Sequence, residues 1–128
     1  MITLINSDEL PKIDVYHHVA VATGSKTVYL AGQVAWDTEP DLATQVEQAY
    51  VNVHTALKAA GATFSDLARV RIYVVDWTPD KMPELLKGIE NAMTRLGETS
   101  KAPAALIGVQ ALDVPEHLVE IEATAVID

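Results

Sequence analysis

Cysteine is absent from the 128 residues. A disulfide scaffold, a thiolate metal site and a cysteine nucleophile are excluded together. Basic residues are scarce: 9 Lys and Arg stand against 18 Asp and Glu, a formal charge of −9. Such a surface repels phosphates and argues against nucleic-acid binding. No apolar run approaches the roughly 20 residues of a membrane-spanning helix, so no membrane partner is expected. Met1-Ile2-Thr3-Leu4 lacks a basic stretch followed by a long apolar core. No signal peptide is therefore expected, and a cytoplasmic location is. The six glycines form neither G-x-G-x-x-G nor G-x-x-x-x-G-K. Ser25, Ser65 and Ser100 lack a G-x-S-x-G context.

What is present is apolar substance: 49% of the chain is hydrophobic, too much for disorder. The length suits one domain over residues 1–128. Residues 16–22 and 27–35 read as strands around the turn signal Thr23-Gly24-Ser25-Lys26, which suggests a hairpin. The first few residues are a candidate edge strand. Leu42, Val46, Ala49, Val53, Leu57 and Ala60 form one helical stripe between Pro40 and Gly61. Thr38 is the candidate cap, with Glu39 and Asp41 as first-turn carboxylates. Residues 68–76 alternate as a strand, with Val70, Ile72 and Val74 on one face. Thr78-Pro79-Asp80 opens a second helix whose stripe includes Met82, Leu85, Ile89 and Ala92, and Gly97 ends it. Gly88 in mid-helix costs about 1 kcal/mol against alanine and points to close packing. Strands over 104–111 and 117–127 complete the chain.

On the last strand Val119, Ile121, Ala123, Ala125 and Ile127 share one face. Leu118, Glu120, Glu122, Thr124 and Val126 share the other. Two helices cover one face of such a sheet. The second still carries Val75, Leu118 and Val126, so a partner subunit is the natural cover.

Glu120 and Glu122 point the same way, roughly 6–7 Å apart at the backbone. Two carboxylates in one pocket favour a raised pKa and acid–base or water-holding work. The alternative is a solvated strand face, or pairing with Arg69 or Arg71. His17 and His18 point to opposite faces of a strand and cannot chelate together, and no metal site is expected. Tyr16 and His18 share a face. Gly32 inside a strand marks a bend, a bulge or a close approach by a ligand or another backbone.

Four segments together resemble the Rid family, also called the YjgF or endoribonuclease L-PSP-like family. They are Tyr16-His17-His18-Val19, Val28 through Gly32-Gln33-Val34, Arg69 through Tyr73-Val74-Val75-Asp76, and Pro103-Ala104 with Val119-Glu120-Ile121-Glu122-Ala123. Their order and separations match the family across nearly the whole chain.

The resemblance implies an α/β (α+β) chorismate mutase-like fold, a mixed sheet with two helices on one face. It also implies a homotrimer with small-molecule clefts between subunits. Family members hydrolyse imines and enamines to a carbonyl compound and ammonia without cofactor or metal. Carried over by position, Glu120 matches the water-positioning glutamate and Tyr16 the tyrosine lining the cleft. Gly32 matches the glycine whose backbone faces the ligand. Two positions depart: Ala31 stands where the family has serine, and Ala105 where it has the arginine that clamps a substrate carboxylate. A Rid-like hydrolase with an altered substrate is the expectation. The alternative is a non-catalytic trimeric protein that binds a metabolite in the same clefts.

Overall fold

A computed structural model describes all residues, Met1–Asp128. Strands β1 (Ile2–Ile5), β2 (Val19–Ala22) and β3 (Lys26–Tyr29) precede helix α1 (Leu42–Ala59). Strand β4 (Leu67–Val75), helix α2 (Met82–Leu96), strand β5 (Ala104–Val109) and strand β6 (Val119–Ile127) follow. The main sheet has the order β3-β6-β4-β5. β4 and β5 run parallel, and the other pairs are antiparallel. A parallel pair needs a long crossover, and α2 supplies it. Both helices lie on one face of this mixed sheet, as expected.

The core follows from the alternation. Val70, Ile72 and Val74 on β4 are buried, and so are Val119, Ile121, Ala123 and Ala125 on β6. They meet Val46, Val53 and Leu57 of α1 and Leu85 and Ala92 of α2. Gly88 lies where the helices cross most tightly. A Cβ there would fall 2.6 Å from the Ala43 carbonyl oxygen and 2.6 Å from the Val46 Cβ. The helix penalty of glycine is thus accepted for backbone approach.

Three local expectations are corrected. Segments 16–22 and 27–35 do not pair as a hairpin. β2 pairs with β1 in a separate two-stranded sheet, and β3 pairs with β6 from Lys26↔Ile127 to Tyr29↔Thr124. Pairing with β6 lets Val28 and Leu30 pack on the core, whereas Val19 and Val21 of β2 stay 44% and 49% exposed. Tertiary burial outweighs the local turn signal. Secondly, Tyr16-His17-His18 precedes β2 instead of extending it. The His18 ring is held by the Ser7 amide, which donates to Nδ1, and lies 2.8 Å from the Pro11 carbonyl oxygen. Thirdly, Asp41 caps α1 in place of Thr38. Its carboxylate accepts from the Thr44 amide at 2.9 Å and the Thr44 hydroxyl at 2.6 Å. These bonds hold its pKa below the ordinary value. A cap must reach the third residue of the helix, and from Thr38 that residue is too far. The Thr38 hydroxyl is buried without a partner.

Candidate functional site

The face of the sheet away from the helices is a small grid. Across it, Glu120 of β6 stands opposite Tyr73 of β4, and Tyr73 is beside Ile107 of β5. In the next row Glu122 faces Arg71, and Arg71 neighbours Ala105. Strand parity, readable in the sequence, puts all six on this face.

The two carboxylates have different surroundings. Glu122 accepts from the Tyr73 hydroxyl at 2.5 Å and from an Arg71 Nη at 3.2 Å. Pairing with arginine, one of the two readings of the sequence, therefore holds for Glu122. Glu120 instead lies against the backbone of Gly32. A Cβ at Gly32 would fall 2.5 Å from the Glu120 Cδ and 2.7 Å from Oε2. Gly32 lies beyond the end of β3, and the group that approaches it closely is the Glu120 side chain, not the ligand or second backbone that the sequence suggests. The backbone beside it bridges to β6, with Gln33 and Ile121 exchanging N–H···O bonds at 2.8 and 2.9 Å.

The pKa of Glu120 is raised above the ordinary value. Burial is the largest cause, followed by the charges of Asp113 and Glu122, with His117 acting in opposition. Loss of water and nearby like charge both disfavour the carboxylate. Sequence reasoning foresaw Glu122 as the neighbouring charge and missed Asp113, which matters more.

Asp113 belongs to a cluster that the sequence reading did not assemble. The His117 ring is 3% exposed, and its Nδ1 lies 2.5 Å from Asp113 Oδ1. Trp36 packs against it edge-on, with ring centroids 4.4 Å apart at 84°. The hydrogen bond with His117 is the main reason why the Asp113 carboxyl sits below its ordinary value. The i, i+4 spacing of Asp113 and His117 around Val114-Pro115 was the available signal. Trp36 gave none, because only the fold brings it to β6.

Within one chain the remaining site residues are divided. Ala31 is exposed, and its carbonyl accepts from the Gln33 side chain at 3.1 Å. Ala105 is half-buried beside Arg71. Tyr16 lines an apolar cavity on the helix-covered side that Ala105 borders and Glu120 does not. His18 borders a different cavity, so Tyr16 and His18 do not share one.

Comparison with known proteins agrees with this architecture. The Endoribonuclease L-PSP family pattern matches residues 7–127. The chain is similar to YyfB, a Rid family protein from Yersinia pestis, at 33% identity over 98% of each chain, with a TM-score of 0.86. It is also similar to Rv2704 of Mycobacterium tuberculosis, a YjgF/YER057c/UK114 family member. Identity there is 30% over 99% of this chain and 100% of that one, with a TM-score of 0.66. The YjgF gene product of E. coli shares the fold at 22% identity, a TM-score of 0.67, and 97% and 98% coverage. Among curated proteins nothing matches. The chain belongs to the Rid/YjgF (endoribonuclease L-PSP) family, and its mixed sheet with two helices is the chorismate mutase-like arrangement expected of that family. No helix is long and apolar enough to cross a membrane.

Proposed function

We propose that the protein hydrolyses a reactive imine or enamine to a carbonyl compound and ammonia, with Glu120 holding the attacking water. The observation that carries this reading is the state of Glu120. It is partly desolvated, raised in pKa, and set against the open backbone of Gly32. A carboxyl whose proton is held more firmly than usual is better able to give that proton back after taking it. As water adds to the imine carbon, a C–O bond forms. The imine nitrogen takes up a proton from solvent as the C=N electron pair moves onto it, and Glu120 takes one from the water. Glu120 then returns its proton to the nitrogen, the C–N bond breaks as ammonia leaves, and the remaining hydroxyl proton is released to solvent to give the carbonyl product.

The altered substrate follows from the charges around this carboxyl. Position 105 is alanine and offers no donor. Arg71, the nearest cation in the grid, is already bonded to Glu122. Asp113 and Glu122 both add negative potential at Glu120. A neutral or cationic imine suits this site better than a 2-imino acid. Ribonuclease chemistry, which the family's name evokes, is poorly served by a net charge of −9.

Half-buried Val75 and Val126 on the uncovered face support a trimer in which neighbouring copies close the clefts; Leu118, expected with them, precedes β6 and packs on the core instead. The second reading is a binding protein without catalysis. It is favoured by the separation of Tyr16 from Glu120 within one chain.

The test is a screen of imines and enamines, generated in situ, for ammonia release. Turnover that falls in Glu120→Gln supports the hydrolase. Saturable binding in the clefts with no ammonia from any compound supports the binding protein.

A further inference from the structure

The helix-covered side of the sheet holds a cavity of ≈ 250 Å³ between α2, β4, β5 and the segment at Val15-Tyr16. Its lining carries no charged side chain, and the only polar side-chain groups among the lining residues are the hydroxyls of Tyr16, Tyr50 and Ser100. Met82 and Leu86, also in the lining, are 38% and 37% exposed, so the apolar wall continues to the surface.

Tyr50 is the informative residue. It is 5% exposed and lines the cavity. Its hydroxyl has no hydrogen-bond partner in the protein, yet it is not among the fully enclosed polar atoms lacking one. The open space it reaches is therefore the cavity. Burial alone pushes its pKa up, with no hydrogen bond or charge contributing. A desolvated hydroxyl with no partner is costly, and interiors seldom keep apolar voids of this size. Both costs are removed by one kind of occupant.

We propose that this cavity is a binding site for a small, neutral, largely apolar molecule carrying one hydrogen-bond acceptor, which the Tyr50 hydroxyl meets. The volume lies below that of pockets for drug-sized ligands, which limits the occupant to something like an aromatic or alicyclic ketone. The absence of any cation or anion in the wall excludes charged ligands, because an unpaired charge would be desolvated there. Glu120 does not line this cavity, although Tyr16 and Ala105, the positions matched to the family's cleft, do; the proposal does not rest on the hydrolase reading.

The test uses acetophenone, ethylbenzene and benzoate, titrated into the whole protein and followed by amide and methyl NMR shifts. Acetophenone is expected to bind saturably, with shifts centred on Tyr50, Leu86 and Leu106, and benzoate to cause none. Leu86→Trp fills the mouth from an exposed position and should abolish binding. Tyr50→Phe should weaken acetophenone about five- to tenfold and leave ethylbenzene unchanged, a ratio that is readable even if the variant is less stable. Absence of saturable binding, benzoate binding as tightly as acetophenone, or an unchanged ratio in Tyr50→Phe overturns the proposal. Binding that appears only on dilution also overturns it, because a neighbouring copy then occupies the cavity.

Discussion

The Tyr73 hydroxyl donates to Glu122 and not to Glu120, although Glu120 is the residue directly opposite Tyr73 in the β4–β6 register. The diagonal bond, reinforced by Arg71, holds the Glu122 carboxyl in place. Glu120 is left with Gly32 backbone against it and negative neighbours around it. Two identical side chains on one strand face thereby have different surroundings.

Glu120→Gln keeps the size and removes the charge. Hydrolysis should fall by on the order of 10²-fold or more, while circular dichroism and oligomer size stay unchanged. A raised carboxyl pKa means that the folded state holds the proton more tightly than the unfolded state. Its stabilising contribution is present at low pH and is lost as pH rises through the folded value. Wild type should therefore lose stability relative to Glu120→Gln as pH rises from the ordinary glutamate value, about 4.3, through the raised folded value. Parallel denaturation curves over that range would remove the pKa argument.

Gly32→Ala places a methyl group within 2.5 Å of the Glu120 Cδ. The obstacle is a flexible side chain, so Glu120 should swing away and the fold should persist. The expected result is a melting temperature within a few degrees of wild type and turnover close to that of Glu120→Gln. Full activity in Gly32→Ala would show that the carboxyl does not work from this position.

Gly88→Ala should have the opposite sign from that of helix propensity. Alanine gains about 1 kcal/mol in a helix interior, but the new Cβ meets the fixed Ala43 carbonyl oxygen and Val46 at 2.6 Å. Net destabilisation of about 1–3 kcal/mol is expected from urea unfolding. A stabilised variant would mean that the helices separate at little cost.

Ala105→Arg restores the donor that family resemblance places at this position. Wild type should turn over 2-iminopropionate very slowly, and the variant faster. Arg71 lies next to position 105 in the register; its charge is already shared with Glu122, which makes a second guanidinium tolerable. A wild-type rate equal to that of arginine-containing relatives would mean that another cation already clamps the carboxylate.

Light scattering at micromolar concentration should give three times the chain mass. A stable monomer would leave Val75 and Val126 without the cover that a trimer supplies.

Much of this was legible from periodicity. The two helices, the long strands β4 and β6, and the assignment of their faces follow from apolar spacing, because burial is what selects those residues. The same parity put Glu120 and Glu122 on one face, and Gly88 signalled its close packing. Local signals failed where distant partners competed. The Thr23-Gly24-Ser25-Lys26 turn suggested a hairpin, but β6 offered Val28 and Leu30 a buried face that β2 did not. Thr38 had a capping chemistry equal to that of Asp41, and only the start of α1 at Leu42 decided between them.

The sequence by itself determined the family, the helices and the pair of carboxylates, since these depend on residue type and near spacing. The tertiary structure alone decided which carboxylate is anchored and which is raised. That outcome depends on Tyr73 and Arg71 from β4, the Gly32 backbone, and the Asp113–His117 pair under Trp36. A pKa is set by what surrounds a group in space, and those surroundings come from three separate stretches of the chain.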